Sequence, residues 1–131
     1  MAASSIGSGK ETLLVPLDGH EMPTSWSADG RFLVYQTDAP TADLWVLPMA
    51  GDRKPIPFVV NTRFGEQFGQ FSPNGRWIAY SSNETGRTEV YVAPFQHAGG
   101  TTRISSAGGG WPKWRRDGQE IFYVADRKSV V

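Results

Sequence analysis

A threefold repeat of one short frame limits what this chain can fold into more than any other feature. The frame is an aromatic residue, a four-residue turn ending in glycine, and a strand. It reads Trp26-Ser27-Ala28-Asp29-Gly30-Arg31-Phe32-Leu33-Val34-Tyr35, then Phe71-Ser72-Pro73-Asn74-Gly75-Arg76-Trp77-Ile78-Ala79-Tyr80, then Trp114-Arg115-Arg116-Asp117-Gly118-Gln119-Glu120-Ile121-Phe122-Tyr123. In the middle copy Pro73 presets φ for the second turn position, Asn74 tolerates the third, and Gly75 accepts the left-handed conformation that turns one strand back on the next. Each frame therefore predicts a hairpin, a type I turn closed by a glycine bulge. Asp29, Gly30, Asn74, Gly75, Asp117 and Gly118 are its structural turn residues. The turn glycines at 30, 75 and 118 lie 45 and 43 residues apart, a period that suits one four-stranded propeller blade. No stretch carries apolar residues at helical spacing, so essentially no α-helix is expected. The predicted fold class is all-β: about three four-stranded antiparallel blades of a β-propeller, either a partial ring or half of a six-bladed ring.

The run Phe32-Leu33-Val34-Tyr35 is apolar without alternation, which predicts a strand covered on both faces, as stacked blades provide. Pro55 and Pro57 suit an edge strand, where a missing ladder donor is tolerated. These signals divide the chain into a flexible lead-in (1–9), an outer strand left from a preceding blade (10–15), blade one (22–60), blade two (65–106) and an incomplete blade three (110–131). Propellers close with about four to eight blades, so three copies predict a part of a ring. Either the other blades belong to the same polypeptide, or two copies complete a six-bladed homodimer.

Composition removes several functions. Thirteen basic and thirteen acidic residues cancel, so no net field favours nucleic acid or an anionic membrane, and no apolar run reaches the length of a membrane span. Without cysteine there is no disulfide, thiolate metal site or cysteine nucleophile. Gly7-Ser8-Gly9-Lys10 lacks the first glycine and the hydroxyl after the lysine that a phosphate loop requires. His20 and His97 stand in loops without partners at metal-ligand spacing, and the Gly-x-Ser-x-Gly elbow of a serine hydrolase is absent. The expectation is a non-enzyme with no metal and no cofactor.

Binding groups concentrate on loops held by a rigid scaffold, here the connections from each outer strand to the next inner strand at the channel mouth. They carry His20, Glu21, Arg63, Glu66, Gln67, Gln70, Trp111 and Lys113, an assortment suited to a protein or peptide, or to a small polar ligand. Trp114 also belongs to an aromatic and basic cluster with Trp111, Lys113, Arg115 and Arg116. Because it repeats Trp26 and Phe71, it is expected to be a core residue rather than a base-stacking one.

The segments Leu44-Trp45-Val46-Leu47-Pro48, Gly51-Asp52-Arg53-Lys54-Pro55, Phe71 to Tyr80, Glu89-Val90-Tyr91-Val92-Ala93-Pro94-Phe95 and Trp114 to Gly118 resemble the TolB-like, WD-repeat-like propeller repeats. They are most similar to those appended to bacterial serine/threonine protein kinases. The resemblance implies a propeller of six to eight blades used for binding, a sensory or protein-interaction segment of a larger bacterial protein such as a receptor-like kinase. The alternative is the propeller portion of a prolyl-oligopeptidase-type serine peptidase lacking its hydrolase domain. Ala28 and Arg116 depart from the turn proline, and Asn74 from the usual aspartate. No kinase motif accompanies the repeats, and the resemblance fits either an extracytoplasmic or a cytoplasmic setting.

Overall fold

The computed structural model describes residues 2–5, 10–13, 21–38, 42–60 and 63–125. Twelve strands follow in order among them: β1 (Ala2–Ser5), β2 (Lys10–Leu13), β3 (Glu21–Trp26), β4 (Phe32–Thr37), β5 (Asp43–Pro48), β6 (Ile56–Val59), β7 (Glu66–Phe71), β8 (Trp77–Ser82), β9 (Glu89–Pro94), β10 (Thr102–Arg103), β11 (Gly109–Trp114) and β12 (Ile121–Ala125). No helix occurs among the described residues. Strands β3 to β6 form one four-stranded antiparallel sheet in sequence order, β7 to β10 form a second, and β11 pairs with β12. These sheets are the expected blades, with all-β antiparallel architecture throughout.

The turns share one backbone geometry. Gly30, Gly75 and Gly118 have φ of 74°, 74° and 76°, and each donates its N–H, at 2.9 Å, to the carbonyl three residues back. In the first two copies a serine and an Asx side chain brace the turn. Ser27 Oγ donates to Asp29 Oδ1 and Ser72 Oγ to Asn74 Oδ1, both at 2.7 Å. The amides of Arg31 and Arg76 then donate to those same Asx oxygens at 3.0 Å. Asn74 therefore does the work of an aspartate, because the bracing needs only an acceptor oxygen. In the third copy Arg115 replaces the serine, and its guanidinium bonds Glu120 at 2.6 Å and Asp117 at 3.3 Å.

Blade one packs its face onto blade two. Val34 and Val46 meet Phe71, Ile78 and Phe95, with Phe32 and Phe58 at the margin. Phe95 is the hub, edge-on to Phe32 at 5.0 Å and to Phe71 at 5.4 Å, contacts that add about 0.5–1.5 kcal/mol each beyond burial. A second cluster joins Leu44 to Tyr80, Tyr91 and Ala93, with the tyrosine rings stacked 5.8 Å apart. Leu33 to Gln36 are all buried, which is why that strand lacks alternation.

Several expected boundaries move. Ala2–Ser5, expected as a loose lead-in, is a strand paired with Lys10–Leu13. Small side chains do not refuse an extended backbone, and pairing asks only for main-chain groups. Blade one begins at Glu21 rather than at 22, and the outer strand of blade two is Thr102–Arg103. Leu14, Val15, His20 and the last part of the expected blade three (126–131) lie outside the described residues.

Candidate functional site

Every inner strand breaks register near its start: β3 between Pro23 and Ser25, β7 between Gln67 and Gln70, β11 between Gly110 and Lys113. In β7 and β11 the bulge puts an aromatic residue in the left-handed region, Phe68 with φ 60° and Trp111 with φ 51°. Bulky side chains rarely adopt that conformation, at a cost of roughly 1–3 kcal/mol each. Repeated bonds from the preceding blade hold them there. The Phe68 amide donates to Gln36 Oε1 at 2.8 Å, and the Trp111 amide donates to Ser81 Oγ at 3.2 Å. Gln36 and Ser81 occupy the same place in β4 and β8. In blade one the equivalent residue is Pro23, whose ring forbids a positive φ.

The two aromatic rings meet with centroids 5.4 Å apart and planes tilted by 41°. Trp111 remains 58 % exposed. A cleft of about 410 Å³ opens beside them, bordered by Gln67, Ser81, Thr88 and Gly110. Its apolar walls and a few convergent polar groups have the make-up of a ligand pocket.

The structure sorts the expected mouth residues. Gln67 and Trp111 border this cleft together, and Lys113 stands exposed on the same strand as Trp111. Gln70 instead belongs to the seams, donating from Nε2 to the Thr24 carbonyl at 3.1 Å and accepting Trp114 Nε1–H on its own carbonyl at 2.9 Å. That bond also places Trp114 as a seam residue. Arg63 lies 5.9 Å over the Phe64 ring. Glu21 is half-buried, beside a Tyr35 hydroxyl whose pKa is pushed up to about 12 by burial and by that carboxylate. Glu66 is buried in the blade one–blade two seam, and His20 lies outside the described residues. Phe68 is the residue that the sequence reading leaves unassigned. Its alignment with Trp111 in the repeat frame was the available signal.

Two buried acids differ in character. Burial pushes the Glu89 carboxyl up, yet Ser105 Oγ at 2.6 Å, the Gly108 amide at 2.9 Å and Arg87 outweigh it and hold its pKa below the usual value. Glu66 has no such set of donors: burial, then Asp43 and Glu84, raises it to about 7. Among the described residues no group of His, Asp and Glu is arranged to hold a metal ion.

A cleft of about 730 Å³ lies elsewhere, between blades two and three beside Trp77, Val92, Ile104, Trp114 and Ile121. The matching space between blades one and two is filled by Phe95.

No family model and no curated protein matches the sequence. Solved structures do match the fold. A TolB protein from Agrobacterium tumefaciens superposes with a TM-score of 0.76 at 19% identity, over 88% of this chain and 41% of its own. TolB from Acinetobacter baumannii superposes with a TM-score of 0.79 at 15% identity, over 97% of this chain and 32% of its own. The chain thus spans well under half the length of these structures, and over that span it has the fold of a TolB-type β-propeller.

Proposed function

We propose that this chain is a non-catalytic binding segment of a propeller, taking a protein or peptide at the mouth cleft. The carrying observation is the Phe68–Trp111 pair, two aromatic residues kept in a costly backbone conformation by bonds from neighbouring blades. Strain of this kind in a folded protein gathers at binding and catalytic positions. Exposed tryptophan beside a groove with amide and hydroxyl groups is the side-chain mixture that anchors peptide interfaces. The setting we favour is a sensory propeller of a larger bacterial protein such as a receptor-like serine/threonine kinase, in line with the wording of the repeats.

The test is a peptide-display selection on the purified chain, followed by titration of selected peptides. Trp111→Ala should weaken binding by roughly tenfold or more, as loss of an interface anchor does, whereas Asp52→Ala, exposed in a blade-one turn, should change nothing. Selected peptides that bind Trp111→Ala as well as the parent would refute the mouth as the site.

A further inference from the structure

The seam between blades one and two departs from the seam that follows it, and the departure is electrostatic. At the later seam Glu89 opens β9 and is satisfied by the Ser105 hydroxyl, the Gly108 amide and Arg87, while the inner-strand position facing it is Gly109. At the earlier seam the described counterparts of these groups differ. Asp43 opens β5 in the place of Glu89, and Val59, paired with Leu44, takes the place of Ser105. The Gly65 amide donates instead to Asn83 Oδ1 at 2.9 Å. Glu66 fills the position of Gly109: the Glu66 and Gly109 amides donate to the matching carbonyls of Ala42 at 2.7 Å and Thr88 at 2.9 Å. A second buried carboxyl, that of Glu66, thus stands near the buried Asp43 at this seam.

Glu66 is 3% exposed, and its Oε2 has no hydrogen-bond partner. It lines a cleft of about 360 Å³ together with Phe58, Tyr80, Ser82, Glu84 and Thr101. Phe58 and Tyr80 stand edge to face with centroids 6.4 Å apart. The other unpartnered buried polar atom among the described residues is the Tyr91 hydroxyl, on the ring stacked against Tyr80. An unsatisfied carboxylate oxygen, a second carboxylate at the rim and aromatic walls together match one ligand class, an organic cation that donates N–H bonds and lies against π faces.

We propose that this cleft binds a primary ammonium group, with the Glu66 carboxylate as its counter-ion. Glu84 at the rim adds attraction, and Asp43 from β5 adds to the negative field. Burial and these two acids hold the Glu66 pKa near 7 when the cleft is empty, so the ammonium group binds the ionised form and releases a proton from the remainder. Affinity then rises with pH, about tenfold between pH 6 and pH 8, following the ionised fraction of Glu66. The site lies apart from the mouth cleft and does not require the reading given above.

The experiment is a titration of the full chain with n-butylammonium chloride and with Nα-acetyl-lysine methylamide, followed by the Glu66 and Tyr80 amide resonances and by calorimetry at pH 6 and pH 8. Both amines should bind, and the Nε-acetylated lysine derivative should not. Tighter binding of the lysine derivative would identify a partner's lysine side chain as the natural ligand, and equal binding a free amine. Glu66→Gln should abolish the response. Asp43→Asn, which relieves one repulsion, should keep binding and move its pH midpoint downward. Trp111→Ala should leave it unchanged, which separates this site from the mouth. Equal binding of the acetylated compound, a pH-independent affinity, or calcium chloride outcompeting both amines would overturn the proposal.

Discussion

At Gly75 the backbone holds φ at 74°, and no atom beyond its two chain neighbours lies within 4 Å of where a Cβ would stand. Substitution there tests conformation alone. Gly75→Val should destabilise by roughly 1–3 kcal/mol in chemical denaturation, because a β-branched residue must hold a positive φ. Gly75→Asn, which tolerates that region, should cost about half as much or less; equal costs would argue against the left-handed assignment. Gly109 is the opposite case, since a Cβ would stand 2.6 Å from the Tyr123 ring. Glu66 supplies a pH prediction. Its folded pKa of about 7 exceeds the ordinary 4.5, so between those values the folded state binds more protons than the unfolded one. That contribution to stability is fully present below about pH 4.5 and is lost as pH rises through 7. The melting temperature should therefore fall from pH 5 to pH 7.5, and Glu66→Gln should flatten the decline. An unchanged slope in that variant would assign the pH dependence to other groups.

At the scale of elements, the short outer strand Thr102–Arg103 depends on side-chain bonds more than on its ladder. Ser105 Oγ accepts the Val90 amide at 2.8 Å and donates to Glu89, which in turn accepts the Gly108 amide. Ser105→Ala leaves the Val90 amide without its acceptor and Glu89 short of a donor, and should cost about 1–3 kcal/mol. Hydrogen exchange should quicken at Val90 and Gly108 while the hairpin at Gly75 keeps its protection. Uniform acceleration would mean that blade two opens as one unit. The hairpins and blade order were legible in the sequence because their causes are local, a turn residue, an edge proline or an unalternating apolar run. The inner-strand bulges were not, because Phe68 and Trp111 are held by Gln36 and Ser81 of the preceding blade, 32 and 30 residues away. The same distance hid Glu66. As a loop acid it looked like part of the rim, and only the seam shows that it is buried against Asp43. Gln67 and Trp111 border one cleft because the bulge lies at the end of the strand where the repeat frame had put the mouth.

For the whole molecule, the three copies of one strand can be compared for how well each is covered. In blade one Leu33, Val34, Tyr35 and Gln36 are all at or below 6% exposure, and in blade two Ile78, Ala79, Tyr80 and Ser81 at or below 4%. The matching residues of blade three are less protected: Ile121, Tyr123 and Val124 are half-buried, and Phe122 is 41% exposed. Ile121 lines the 730 Å³ cleft on the blade-two side, and Phe122, the next residue in the strand, faces the opposite side. A sequence written for cover on both faces thus presents one apolar face to solvent at blade three, and a patch of that kind favours association. The occupant that matches its shape is another blade, supplied by a second copy or by further propeller chain. We expect the purified chain to scatter light with a mass above its own 14.4 kDa and to do so increasingly with concentration. Phe122→Asp should return the mass to that of the monomer without loss of β-sheet circular dichroism. A twofold pair closing a six-bladed ring would give a discrete dimer, whereas a face awaiting further blades of the same polypeptide would give a broad distribution of larger species. A monomer at all concentrations would mean that blade three carries its exposed face without a partner.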